Sequence, residues 1–162
     1  KAAKKIVVAF KNKKKIMICG NGGSAADAQH FSAELIGRFK KDRISLPAIA
    51  LNTDTSAITA IANDYNFDKI FSRQIEGIGA KGDILFVIST SGKSKNIINA
   101  VKEAKKKNIF IISLTGSKKS LLEKNSDICI KAPSETTSHI QEIHIIIIHL
   151  LCVLIESHIL NR

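Results

Sequence analysis

Short apolar runs alternate with longer mixed stretches along the whole chain, and this alternation is the feature that most restricts its fold. Five of the runs have the length of a strand, are rich in β-branched residues and are bounded by Gly, Asn, Asp or Ser. Such runs are typical of strands buried on both faces of a parallel sheet, because helices then cover each side. The pattern predicts one α/β domain with a five-stranded parallel sheet flanked by helices, of the flavodoxin-like, doubly wound type. The predicted strands are 16–19, 48–51, 84–88, 109–114 and 128–130.

The last predicted helix stands apart because it is apolar almost all round. A helix with no polar face is expected to be buried, and in a chain of 162 residues the expected cover is another subunit. Its apolar centre, 143–155, contains two histidines, and we expect it to be too short to cross a bilayer. The predicted helices are 24–37, 55–62, 67–78, 94–107, 117–125 and 136–160.

The formal net charge of +11 raises the question of a nucleic-acid partner, since Lys and Arg neutralise phosphates. Most of the excess is Lys spread over predicted helix faces, as at 102–107, without interleaved aromatic residues. We therefore expect a solvated surface that attracts anionic metabolites, and no nucleic-acid partner. The three cysteines form no CxxC pair and lie in apolar runs, which indicates reduced, buried thiols. No signal peptide is recognisable, so we expect a soluble, cytoplasmic protein with no membrane partner.

Two loops, each between a predicted strand and a predicted helix, carry glycines and hydroxyl groups. The first is 19–24 and the second is 88–94. Because ligands bind at the carboxyl ends of parallel strands, both loops should lie at the same edge of the sheet, where a phosphate can meet backbone N–H groups and hydroxyls. Neither loop matches the dinucleotide or the Walker pattern, which disfavours NAD and ATP. The alternative is that these residues merely cap helices, as Ser24 is predicted to do, and the residues alone leave both interpretations open.

Two predicted helices carry side chains suited to acid–base chemistry. His30 and Glu34 are four residues apart and so share one helix face, while Gln141 and His149 are eight apart and lie within about 80° of each other. An ordinary polar helix face would also account for His30 and Glu34. A histidine in an apolar helix is usually packed and hydrogen-bonded, which is our prediction for His144. Composition and spacing do not show whether the two helices meet.

Four stretches of the sequence closely resemble bacterial phosphoheptose isomerases, a family built on the sugar-isomerase (SIS) domain. They are Cys19 to Phe39, Ala62 to Tyr65, Ser89 to Ser94 and Ile140 to His144. The resemblance implies one SIS domain over residues 1–162, with the family's N-terminal helical segment largely missing. It also implies an aldose–ketose isomerase that converts D-sedoheptulose 7-phosphate to D-glycero-D-manno-heptose 7-phosphate, in heptose biosynthesis for lipopolysaccharide or related glycans.

The same resemblance implies roles for particular residues. Glu34 and His149 would be the catalytic acid–base pair, and one zinc per subunit would be bound by His30, Glu34, Gln141 and His149. Members of the family are homotetramers with shared active sites, and they commonly carry Asp and Arg where this chain has Ser138 and His139. The phosphorylated seven-carbon sugar would be bound by Asn21, Gly22, Gly23, Ser24, Glu34, Asn63, Asp64, Ser89, Thr90, Ser91, Ser94 and Gln141.

Two alternative functions stay open at this point. One is a non-enzymatic SIS protein that associates with the replication initiator; relatives of that kind lack the acidic helix residue and the final histidine, whereas this chain has Glu34 and His149. The other is an SIS isomerase or regulator for a different phosphosugar, since the fold does not fix the substrate.

Overall fold

Five strands and seven α-helices alternate in the computed structural model, which describes residues 1–160. The strands are β1 (Ile16–Gly20), β2 (Ala48–Ala50), β3 (Ile84–Ser89), β4 (Phe110–Thr115) and β5 (Ile128–Lys131). The helices are α1 (Ala2–Lys11), α2 (Gly23–Ile36), α3 (Thr55–Asp64), α4 (Ser72–Ile78), α5 (Lys95–Lys106), α6 (Leu121–Asn125) and α7 (Thr137–Leu160). All five predicted strands are confirmed to within one residue at either end.

The sheet is parallel throughout and has the strand order β2-β1-β3-β4-β5. The strand order reverses at β1, because β1 pairs with β2 on one side and with β3 on the other. Ile16 is paired to Ala48 of β2 and to Ile84 of β3. This is the flavodoxin-like order that the sequence predicts. The crevice between the carboxyl ends of β1 and β3, where the strand order reverses, is therefore the expected place for a ligand.

Helices cover both faces of the sheet, and each face has its own core. Along β1, Ile16 and Ile18 face the side covered by α1, α2 and α7, while Met17 and Cys19 face the side covered by α3 to α6. All residues of β1 and β3 are buried, as expected for central strands of a parallel sheet. Cys19 and Cys152 are buried as predicted, whereas Cys129 is only half-buried, and burial raises the pKa of the Cys19 thiol well above its usual range.

The helices depart from the sequence prediction in three places. The helix predicted from 117 begins at Leu121, because the Ser120 hydroxyl accepts the backbone N–H of Glu123 at 3.2 Å and caps it there. The helix predicted over 67–78 is divided into a 3₁₀ turn (Phe67–Lys69) and α4. α1 was not predicted: its lysines hide the periodicity of the buried residues Ala2, Ala3, Ile6, Val7 and Ala9.

The apolar stretch 143–155, predicted to be too short to cross a bilayer, lies inside the longer helix α7. The 24 residues of α7 are enough by length, and an 18-residue part of it, with a mean hydropathy of 2.2, is apolar enough by composition. In the structure it packs on α1 and α2 and shares their core, as a core helix does. The expected complete burial is not seen in this single chain. One face is buried, whereas Ile146, Leu150, Val153 and Leu154 on the other are 38–56% exposed.

Candidate active site

A cavity of about 270 Å³ lies where the strand order reverses, and nine of the predicted substrate-binding residues line it. We call it the switch-point cavity. It is formed by the loop after β1, the loop after β3 and the first turn of α7, so the two predicted loops do lie at one edge of the sheet. Its lining is Asn21, Gly22, Gly23, Ser24, Ile88, Ser89, Thr90, Ser91, Ser94, Thr137 and Gln141.

The loop after β1 depends on glycines. A Cβ atom on Gly20 would overlap the backbone oxygen of Ser24, whereas one on Gly23 would lie 2.5 Å from Gln141 Nε2, the end of a flexible side chain that would have to move. Gly22 has a φ of 56°, a left-handed conformation that favours glycine. Gly22 therefore takes the N-cap position of α2. The prediction of Ser24 at that position is wrong, since Ser24 lies in the first turn of the helix and lines the cavity.

Side-chain amides hold this loop to its neighbours. Asn21 and Asn96 donate to each other, with N to O distances of 2.9 and 2.8 Å, and join the loop to the first turn of α5. Asn52 accepts the N–H of Gly20 at 3.3 Å and donates to its carbonyl at 2.8 Å. These bonds hold the loop that forms one wall of the switch-point cavity.

The loop after β3 presents its hydroxyl groups at the N-terminus of α5. Ser89 Oγ accepts the N–H of Gly92 at 3.1 Å, and Ser91 Oγ accepts that of Lys93 at 3.2 Å. Ser94 occupies the N-cap position, yet its side chain makes no capping bond within the described chain. The interpretation that this hydroxyl merely caps the helix is therefore wrong, and it is free to meet an anion at the positive end of the helix dipole.

A second group of side chains, the histidine cluster of His30, Glu34 and His149, lies between α2 and α7. His30 Nε2 is 3.0 Å from His149 Nε2 and 3.3 Å from Glu34 Oε1. The two helices run side by side in the same direction, since Gln141 contacts Gly23 near their N-termini and His149 contacts His30 further along. The sequence could not show this meeting of the helices. His30 is seven residues beyond Gly23, which places the cluster about 10 Å along α2 from the cavity.

The comparisons with known proteins agree with this geometry. The SIS domain family matches residues 1–116. A phosphoheptose isomerase of Nitratiruptor sp. is 57% identical over 151 residues, which are 93% of this chain and 81% of that protein. The chain belongs to the phosphoheptose isomerase family.

Solved structures of phosphoheptose isomerases have the same fold as this chain. The enzyme of Neisseria gonorrhoeae is 46% identical with a TM-score of 0.91, over 96% of this chain and 83% of that one. The enzyme of Francisella tularensis is 43% identical with a TM-score of 0.93 over the same shares. The family and the fold expected from the sequence motifs are both confirmed.

Not every residue expected from the family pattern lies in the switch-point cavity. Asn63 and Asp64 end α3, are exposed and contact each other at 3.0 Å, outside the cavity lining. Glu34 lies in the histidine cluster instead. Thr137 lines the cavity but was not predicted, because nothing in a Thr-Thr pair before a long helix signals a ligand contact.

The side chains expected to bind zinc in phosphoheptose isomerases are divided between the two places. His30, Glu34 and His149 are donors of the kind that zinc prefers. Gln141 instead lies against Gly23, and its eight residues to His149 correspond to a rise of about 12 Å. Within residues 1–160, no three His, Cys, Asp or Glu side chains are arranged to hold a metal ion as they stand. The histidine cluster thus offers the right donors, but not a finished ligand set.

Two further titratable groups lie near the site, and only the second of them, His144, was singled out from the sequence. Asp27 lies between Gly23 and His30 on α2, and its buried Oδ2 has no hydrogen-bond partner in the described chain. Burial raises the pKa of Asp27, an effect that the nearby His30 opposes. His144 is packed as predicted, but neither ring nitrogen has a close hydrogen-bond partner among the described residues. Burial lowers the pKa of His144, and the backbone of Thr115 opposes this shift.

Proposed function

We propose that this chain converts D-sedoheptulose 7-phosphate to D-glycero-D-manno-heptose 7-phosphate, in the synthesis of heptose for lipopolysaccharide or related glycans. The observation that carries the proposal is the placement of two sites on one pair of helices. A cavity of hydroxyls and glycines lies at one end of α2 and α7, and an acid–base cluster lies further along the same two helices. The phosphoheptose isomerases to which the chain is similar give the reaction class.

The phosphate group fits the switch-point cavity. Ser89, Ser91 and Ser94 bring hydroxyls to the N-terminus of α5, where backbone N–H groups and the helix dipole favour an anion. A neighbouring cavity of about 230 Å³ shares Thr90, Ser91 and Thr137 and is flanked by Lys93 and Lys118. Lys93 adds positive charge beside the phosphate position, which favours the approach of an anionic sugar, whereas Lys118 is paired with Glu135 at 3.2 Å.

Isomerisation of a ketose to an aldose needs a base at carbon and an acid at oxygen. In our proposal Glu34 removes a proton from C1, the C1–C2 double bond forms, and the C2 oxygen takes a proton from His149. The resulting enediol then returns its O1 proton to His149 while C2 takes the proton held by Glu34. All atoms are conserved, and the sugar leaves as the aldose.

His30 is placed to set the proton position on His149. Their Nε2 atoms are 3.0 Å apart, so one must donate and the other accept when both rings are neutral. Glu34 Oε1 lies 3.3 Å from His30 Nε2 and an ionised carboxylate can only accept, so the tautomer with the proton on His30 Nε2 suits both contacts. His149 Nε2 then accepts, and the proton that His149 gives to the C2 oxygen is the one on its Nδ1.

We further propose that zinc binds at His30, Glu34 and His149. When bound, the ion would act as a Lewis acid that polarises the sugar carbonyl. The support is the type of donor and the closeness of the three side chains, which small side-chain rotations would turn towards one ion. Gln141 of the same chain stays with the switch-point cavity in this proposal.

A homotetramer with shared active sites and a cytoplasmic location complete the proposal. The exposed apolar residues Ile146, Leu150, Val153 and Leu154 form a stripe on α7 that another copy of the chain would bury. The exposed Asn63 and Asp64 lie outside their own chain's cavity, where a shared site would give them a role.

The test is turnover of the purified protein with sedoheptulose 7-phosphate and, in separate assays, with ketohexose and ketopentose phosphates as alternative substrates. The proposal expects conversion of the seven-carbon sugar at the highest kcat/KM. Higher kcat/KM with a shorter sugar phosphate would assign the chain to a different phosphosugar. Binding of sugar phosphate without turnover of any would favour the non-enzymatic SIS function.

A further inference from the structure

Arg43 and Glu156 form a buried ion pair between the segment that follows α2 and the last turns of α7. Arg43 Nε lies 3.3 Å from Glu156 Oε1, and the two side chains are 1% and 5% exposed. Charges are costly to bury unless they are paired and their remaining hydrogen-bonding groups are satisfied. The other partners of this pair therefore show what it holds in place.

The guanidinium of Arg43 binds the C-terminal end of α2. It donates to the carbonyls of Glu34 at 2.7 Å, Leu35 at 2.8 Å and Gly37 at 3.2 Å, and to that of Ile44 at 3.0 Å. Carbonyls in the last turn of a helix have no partner within the helix, and a cation there is favoured by the helix dipole. Arg43 thus fixes the turn from which the Glu34 carboxylate projects.

The carboxylate of Glu156 binds the backbone of the next segment. It accepts the N–H groups of Phe39 at 3.0 Å, Lys40 at 3.1 Å and Lys41 at 3.3 Å. Burial alone would raise the pKa of Glu156, but these three bonds and Arg43 outweigh it, so the pKa lies below its ordinary value. Glu156 is therefore ionised at neutral pH and holds residues 39–41 against α7.

The segment held in this way carries the ring that packs on His149. Phe39 and His149 are stacked, with ring centroids 5.5 Å apart and an angle of 29° between the ring planes. His149 also contacts His30, with ring centroids 5.1 Å apart and an angle of 55° between the ring planes. The imidazole therefore contacts one ring that belongs to α2 and one that the ion pair keeps in position.

We propose that Arg43 and Glu156 are positioning residues for the proton-transfer step. Together they hold the last turn of α2 and the ring of Phe39, so that Glu34 and His149 keep a fixed geometry towards the sugar. The inference rests on the proposed isomerase function. Neither residue lines the switch-point cavity, and Glu34 is about 16 Å along α2 from Gly23, so phosphate binding should not depend on the pair.

The test compares Arg43→Lys and Glu156→Gln with wild type in turnover of sedoheptulose 7-phosphate. Lysine keeps the charge but cannot reach four carbonyls and a carboxylate with one ammonium group. A misplacement of about 1 Å costs on the order of 100-fold in rate, so kcat should fall about 10- to 100-fold while KM stays within about twofold. Glu123→Gln is the matched control. It removes the same charge from another ion pair, the half-buried one of Glu123 with Lys131 at 3.2 Å, which joins α6 and β5 and not α2 and α7. It should behave as wild type.

A third variant keeps the test decisive if the ion pair proves necessary for folding. Phe39→Leu leaves Arg43 and Glu156 intact and removes the aromatic face from His149. It should lower kcat with an unchanged KM, while circular dichroism shows the wild-type fold. A role in stability alone would not lower kcat at an unchanged KM in folded protein, so this combination distinguishes the two roles.

The positioning role and the proposed function would be overturned by different results. Folded ion-pair variants with wild-type kcat, or with a raised KM at wild-type kcat, would overturn the positioning role. If the ion-pair variants do not fold, wild-type kcat in Phe39→Leu would overturn it. A wild-type chain that turns over no sedoheptulose 7-phosphate would overturn the proposed function itself.

Discussion

Ser94→Ala is expected to weaken binding of the sugar phosphate strongly while leaving the fold intact. Ser94 lines the switch-point cavity at the N-cap position of α5, and its hydroxyl makes no capping bond within residues 1–160. Its removal therefore takes nothing from the helix itself. We expect the free energy of unfolding to change by less than about 0.5 kcal/mol, as for substitutions that break no internal contact.

The size of the effect follows from the charge of the ligand. A hydrogen bond to a charged group contributes about 1.5–3 kcal/mol, and about 1.4 kcal/mol corresponds to a factor of ten. The dissociation constant for the sugar phosphate, and KM with it, should rise roughly 10- to 150-fold. The rate constant kcat should change little, since the hydroxyl meets the phosphate and not the reacting carbons.

The measurement is calorimetric titration with sedoheptulose 7-phosphate, together with steady-state turnover. Ser126→Ala is the control, because the Ser126 hydroxyl donates to the Leu122 carbonyl at 2.7 Å at the end of α6. A dissociation constant for Ser94→Ala within twofold of wild type would refute the reasoning and move the phosphate away from the start of α5.

The remaining predictions concern proton transfer, metal and pH. Glu34→Gln keeps the shape of the side chain and removes the base, so kcat should fall by roughly two to four orders of magnitude while the sugar phosphate still binds. His149→Ala should lower kcat by a similar amount. Near-normal turnover in both variants would refute the acid–base assignment. Protein purified without chelators should contain zinc by elemental analysis, and His30→Ala should contain less; equal zinc in both would remove His30 from the site. His144 has a pKa below 6.5 in the folded chain, so the unfolded chain binds its proton first and stability should fall as pH drops below about 6.5. Urea titrations should show the free energy of unfolding falling by up to about 1.4 kcal/mol per pH unit. This dependence on pH should be weaker in His144→Asn and unchanged in His158→Asn. Equal slopes in the wild type and both variants would refute the prediction.

The sequence allowed the sheet to be predicted because its signal is local. Runs such as Ile84–Ser89 are apolar at every position, which only a strand covered on both faces requires. Helix starts were harder, because a single hydroxyl or glycine decides them. Ser120 begins α6 four residues later than the pattern suggested, and Gly22 takes the cap of α2 from Ser24.

The candidate site was predictable where it depends on loops and not where it depends on packing. Each cavity loop is one short motif, so its residues could be named in advance. The contact between His30 and His149 joins residues 119 positions apart, and the bond from Phe39 to Glu156 spans 117. No local pattern marks such pairs. Arg43 and Glu156 in particular look like ordinary surface charges until the fold buries them.

The reciprocal amide bonds between Asn21 and Asn96 also bear on how the protein ages chemically. Asn21 precedes Gly22, and an asparagine before glycine deamidates readily, since no Cβ hinders attack of the next backbone nitrogen on the side-chain carbonyl. Here that side chain is held by Asn96 on both its oxygen and its nitrogen. Asn96, in the first turn of α5, therefore protects Asn21 from deamidation, and its replacement would expose the loop to this chemical change before it altered the fold.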